Sequence, residues 1–133
     1  MAINNPFAAY QQTSVFTAAP EELTLMLYNG CLRFIKLARQ AMKQNNLEAK
    51  NENIVKAQNI IQELSITLNR EIEISEQMSS IYDYIRRRLI DANVQNNGEF
   101  LDEAEKLVTE FRDTWKQAMQ SERKNSHGAG GLA

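Results

Sequence analysis

The chain of 133 residues contains one cysteine, one histidine, two prolines and five glycines, and each scarcity excludes something. A single thiol, Cys31, forms no internal disulfide and suits a reducing compartment, where its job is packing. The one histidine, His127, sits in a Gly-rich C-terminal stretch. That removes a Glu-x-x-His di-iron bundle, which needs two inward-facing pairs, and any triad needing an ordered imidazole base. Zinc lacks its ligands for the same reason, and no Gly-rich phosphate loop of either familiar spacing is present. No window approaches the ~18 consecutive apolar residues of a membrane helix, and the N-terminus has neither the basic segment nor the apolar run of a signal peptide. The expectation is a cytoplasmic protein with no catalytic residue, cofactor or metal and no membrane insertion, hence not an enzyme.

Charge of one sign is also scarce. A formal net charge of -2 gives no field for non-specific nucleic-acid binding. The only basic run, Arg86-Arg87-Arg88, points in three directions ~100° apart on a helix, so it reads as a solvated collar rather than a phosphate clamp. Residues 1 to 20 carry no charged side chain yet include Ile3, Phe7, Tyr10, Val15 and Phe16. Disordered arms are usually charged and poor in aromatics, so part of this arm is expected to lie against the rest of the chain. It is either a permanent packing segment or a detachable lid bearing Phe7, Tyr10, Val15 and Phe16.

Between Glu21 and His127 there is no proline and only two glycines, Gly30 and Gly98, and the pattern is helical throughout. The spacing predicts an all-α, antiparallel up-down four-helix bundle over residues 19–121, with an N-terminal apolar arm at 1–18 and a flexible, disordered tail at 122–133. The first helix runs from Pro20, which suits a first turn, to about Gln44. The second runs from Leu47 to Asn69 with a seam of Ile54, Ala57, Ile61, Leu64 and Leu68. Arg70 to Glu76 reads as mostly loop, Ser75 as the cap of the third helix, and Gly98 as its left-handed stop. The fourth spans Glu99 to Ser121 with one apolar stripe and a polar back.

Three helices carry more apolar surface than a bundle needs. On the first, Leu23, Leu27, Gly30, Phe34, Ala38 and Ala41 form one stripe, and Leu25, Tyr28, Leu32 and Ile35 form a second about 120° away. Gly30 suggests a close helix approach. On the third, Met78, Ile81, Tyr82, Ile85, Leu89 and Ala92 make the core stripe, leaving Tyr84, Ile90 and Val94 outside it. On the second, Val55 and Ile66 sit opposite the seam with Ile60 on the shoulder. The candidate partner-binding residues are therefore Tyr10, Leu25, Tyr28, Leu32, Ile35, Ile60, Ile66, Tyr84, Ile90 and Val94. Exposed apolar patches mark interaction sites, and a fitting ligand is an amphipathic helix or extended segment laid between helices.

Tyr10 in its uncharged arm, Ala18-Ala-Pro-Glu-Glu-Leu-Thr-Leu-Met-Leu-Tyr-Asn-Gly30, Ile60-Ile61-Gln62-Glu63-Leu64, Tyr82-Asp83-Tyr84 with Arg87, Arg88, Leu89 and Ala92-Asn93, and Trp115 together resemble the flagellar secretion chaperones of the FliS family over about residues 7 to 120. Asn29 departs from the family, standing where an acidic residue is common. The resemblance implies a cytoplasmic four-helix bundle, a monomer or weak dimer when free. It implies binding of the disordered C-terminal segment of flagellin in apolar grooves, prevention of premature polymerisation and hand-over to a component of the flagellar export gate. It also implies that the arm bearing Tyr10 covers part of the groove and moves aside. The alternative is a structural or adaptor bundle whose surplus stripes are satisfied by self-association.

Overall fold

A computed structural model describes the backbone of residues 20–132 and the side chains of residues 21–121. Four helices follow one another: α1 Pro20–Lys43, α2 Leu47–Ile66, α3 Ser75–Gln95 and α4 Gly98–Leu132. No strand occurs among the described residues. Each helix packs on the next and α4 returns to α1, closing a square with no direct backbone packing across its diagonals. Arg39 reaches Asp102 and Trp115 reaches Glu21, so α1 and α4 run antiparallel. Asn51 meets Asn93 and Tyr84 meets Glu103, which makes α2–α3 and α3–α4 antiparallel as well. The arm with Phe7, Tyr10, Val15 and Phe16 lies outside the described residues.

The connections explain the topology. Pro20 opens α1 with Glu21 and Glu22 in its first turn and Lys43 in its last, matching the helix dipole. Asn45 takes the left-handed conformation at φ 57°, and Asn46 caps α2 by accepting from the Ala49 N–H at 3.1 Å. At the far end of α2 the helix stops at Ile66, three residues before the expected Asn69. Thr67 Oγ1 donates back to the Leu64 carbonyl at 2.9 Å, a local bond that competes with continuation. The eight-residue connection 67–74 is a chain of turns, with Asn69 accepting from the Glu71 N–H at 3.0 Å.

Three expected helix ends differ. Ser75 is the first residue inside α3, buried, while Ile74 occupies the cap position without a side-chain bond. Asn96, at φ 51° and ψ 48°, supplies the left-handed stop of α3 in place of Gly98, since a short amide side chain tolerates that conformation. Gly98 instead begins α4. The backbone of α4 continues as helix past Ser121 to Leu132. No proline follows Pro20, and once a helix is formed each added residue gains a hydrogen bond.

The core runs the length of the square. Leu27, Ile35, Ile54, Ile60, Ile61, Leu64, Ile85, Leu89, Leu101 and Val108 are all buried, at about 1.5–3 kcal/mol of transfer free energy for each aliphatic side chain. At one level Tyr28 of α1 and Tyr82 of α3 meet across the diagonal, hydroxyl to hydroxyl at 2.5 Å. Phe111 of α4 packs against both rings, at centroid distances of 6.2 and 5.0 Å.

Candidate functional site

What a partner can touch is set by where the square leaves apolar surface uncovered. Tyr28 and Ile35, expected on a surplus stripe of α1, are 1% and 0% exposed. Both flanks of α1 are covered, one by α2 and the other by α4, so its two stripes are both core. Ile60 is likewise 0% exposed, turned to Gly30 on α1. Leu25 and Leu32 are half-buried. These positions do not form an open groove on α1.

The exposed large apolar residues lie elsewhere. They are Leu47, Val55 and Ile66 on α2, Ile72 and Ile74 in the connection, Ile81, Tyr84 and Val94 on α3, and Leu37 alone on α1. None of the described residues of α4 belongs to this set. The surplus is thus concentrated on the α2–α3 hairpin. Ile81, expected in the core stripe of α3, is at the edge and 38% exposed.

Antiparallel register sorts these residues into flanks. The Asn51–Asn93 bond of 2.7 Å sets Val55 level with Ile90 across the α2–α3 seam. At 3.6 residues per turn, Val94 lies on the same flank of α3 one turn from Ile90, and Ile66 on the same flank of α2 as Val55. Between the Val55–Ile90 level and Ile66 the seam opens into a cleft of about 340 Å³ lined by Gln62 and Ser65 of α2 and Ser79, Asp83 and Arg86 of α3. The groove is therefore apolar at its ends and polar in its middle.

Tyr84 is on the other flank. Its hydroxyl donates to Glu103 of α4 at 2.6 Å, and this bond pushes its pKa up from the ordinary phenol value. The Arg88 guanidinium stacks over the Tyr84 and Phe100 rings at 5.3 and 4.7 Å and pairs with Asp91 at 3.2 Å. Tyr84 and Ile66 thus face different seams, although both are exposed.

The arginine run is not a uniform collar. Arg87 is solvated beside Asp83 at 3.6 Å, Arg88 is committed to the α3–α4 seam, and half-buried Arg86 lines the α2–α3 cleft. At the opposite end from Ile66 the groove is clamped. Buried Lys50 donates to the Asn93 carbonyl at 2.9 Å and to the side-chain Asn96 Oδ1 at 3.3 Å, so one of the last carbonyls of α3 gains a partner.

Sequence reasoning missed Val55 as a site residue, together with Gln62, Ser65, Ser79, Asp83 and Arg86. Val55 carried a signal, since it eclipses Ile66 on the helix. The polar five carried none, because only the pairing of α2 with α3 brings them together.

A family model described as flagellar protein FliS matches residues 3–122. The chain belongs to the FliS family. The flagellar secretion chaperone FliS of Bacillus subtilis (strain 168) is 63% identical over 133 residues, covering 100% of both chains. The FliS of Salmonella typhimurium (strain LT2) is 37% identical over 116 residues, covering 82% of this chain and 86% of that one. A crystal structure of a bacterial flagellar chaperone superposes with a TM-score of 0.72 at 19% identity, over 88% of this chain and 99% of that one, which is a likeness of fold. As a FliS-family member the chain has a chaperone role in flagellar export and is not an enzyme. No described helix is long and apolar enough to cross a membrane.

Proposed function

We propose that the chain is a cytoplasmic chaperone that holds the disordered C-terminal segment of flagellin along the α2–α3 groove, prevents its premature polymerisation and passes the subunit to a component of the export gate. The observation that carries this reading is the concentration of exposed large apolar side chains on α2, α3 and their connection, with none on the described part of α4. An amphipathic segment laid along Val94, Ile90, Val55 and Ile66 would bury its own apolar face there instead of against another flagellin. A disordered ligand must be ordered as it binds, so the contact is long and shallow and extends beyond one cleft. In this reading the arm bearing Phe7, Tyr10, Val15 and Phe16 covers part of the groove when it is empty, and the free protein is a monomer or weak dimer.

The test is calorimetry of the full chain with a synthetic flagellin C-terminal peptide. Val55→Asp together with Ile90→Asp is expected to abolish binding while circular dichroism shows an intact bundle. Leu25→Asp, at a half-buried position of α1 outside the α2–α3 groove, is expected to bind as before. Retained affinity in the double variant sinks the groove placement.

A further inference from the structure

The polar middle of the α2–α3 groove is at odds with a surface whose ends are apolar, and it contains one unsatisfied group. Arg86 Nε is buried and has no hydrogen-bond partner. Arg88 Nε likewise has no hydrogen-bond partner, but the Arg88 guanidinium pairs with Asp91 and Glu103 and Arg87 pairs with Asp83, whereas Arg86 has no ion pair among the described residues. A buried donor without an acceptor is costly, and such a donor is met by water or by an acceptor that a bound segment brings. Arg86 lines the cleft together with Gln62, Ser65 and Ser79, all neutral groups able to donate. Asp83 is the one acid there, and its side chain is 63% exposed and turned to Arg87. Arg86 and Asp83 are the charged residues that line the cleft, and with Asp83 turned outward to Arg87 the charge presented inside it is that of Arg86.

We infer that this cleft is a carboxylate notch: one acidic group of the bound segment seats against Arg86 and fixes the register in which the apolar residues on either side meet Val55, Ile90 and Ile66. The inference rests on the α2–α3 groove being the flagellin-binding face. An apolar groove alone accepts an amphipathic segment in several positions shifted by whole turns. A single buried polar station selects one of them, because every other register leaves the guanidinium unpaired or buries a carboxylate among aliphatic groups. A side-chain carboxylate and the C-terminal carboxylate of the segment share the required chemistry.

The experiment titrates the full chain with a flagellin C-terminal peptide in three forms: native, with its Asp and Glu replaced by Asn and Gln, and with only its chain end amidated. Arg86→Met, which keeps an apolar stem, is expected to weaken the native peptide by ~10- to 100-fold, the worth of a charge-assisted hydrogen bond. Arg86→Lys recovers part of the loss. The peptide form lacking the relevant carboxylate binds the unsubstituted protein and Arg86→Met alike, and which form does so identifies the source. Helicity stays unchanged in both variants, and Arg86→Met, which removes the unpaired donor, does not lower the thermal midpoint. If Arg86→Met binds the native peptide as tightly as the unsubstituted protein, or weakens all three peptides equally, the notch is overturned while the groove stands. If Val55→Asp with Ile90→Asp leaves binding intact, the groove reading fails and the notch fails with it.

Discussion

Tyr28 and Tyr82 meet hydroxyl to hydroxyl among buried aliphatic side chains, and neither can be trimmed alone without orphaning the other. Tyr28→Phe or Tyr82→Phe is expected to cost ~1–3 kcal/mol in urea unfolding, and the double variant less than the two single losses added, since removing both partners leaves no unpaired group. Additive losses would show that the hydroxyls do not depend on each other. Burial raises the pKa of both phenols, and Tyr28 raises that of Tyr82 further. A phenol held above its unfolded value keeps its contribution to stability below pH ~10 and loses it as the pH climbs towards the folded value. Unfolding midpoints should therefore fall above pH ~10, and Tyr28→Phe with Tyr82→Phe should flatten that fall. The thiol of Cys31, 0% exposed with its pKa pushed up by burial to about 12, is expected to ignore thiol reagents until the bundle opens. Labelling in native buffer would contradict this.

At the scale of the element, Gly30 is instructive. The sequence suggests a close helix approach there, yet a Cβ built on Gly30 would stand 3.4 Å from the terminal Cδ1 of Ile60, a side-chain tip able to yield. Gly30→Ala should therefore raise the thermal midpoint, through a helix-propensity gain of up to ~1 kcal/mol. A lowered midpoint would mean that the α1–α2 approach needs the missing side chain. Helix starts were legible, as at Pro20 and Leu47. Ends were less so: a back-bonded Thr67 stops α2 and a left-handed Asn96 stops α3, and neither is marked by Gly or Pro. The two apolar stripes of α1 left open whether the helix is central, covered by the arm or covered by a partner, and the burial of Tyr28 and Ile35 against neighbouring helices answers to the first. Angular spacing shows that two faces are apolar, but it does not show that a helix at the corner of a square buries one face against each neighbour.

For the whole molecule, four helices in a closed square account for the described core from Leu27 to Met119, with Trp115 Nε1 tying α4 to the Glu21 carbonyl at 2.8 Å. A chain cut to residues 19–121 is expected to unfold in one cooperative step with a midpoint close to that of the full chain. A large fall would assign a structural share to the removed ends. The bundle itself was legible from periodicity, and family kinship from short motifs in order. Ile66 and Val94 were legible as exposed apolar residues because each falls outside its helix's own stripe. The cleft was not, since Gln62 and Ser79 acquire meaning only through a pairing 17 residues apart in the chain.

The two ends of the α2–α3 hairpin are built to different stiffness. At one end Lys50, Asn51, Asn93 and Asn96 lock the helices together, while at the other α2 and α3 are joined only by the turns of residues 67–74. The polar cross-links form a pivot at Lys50, and this restraint is absent towards the connection at Ile66 and Ile72. Amide hydrogen exchange should record that gradient, fast near Thr67 and Leu68 and slow near Ile54. Lys50→Met, by loosening the pivot, should even it out.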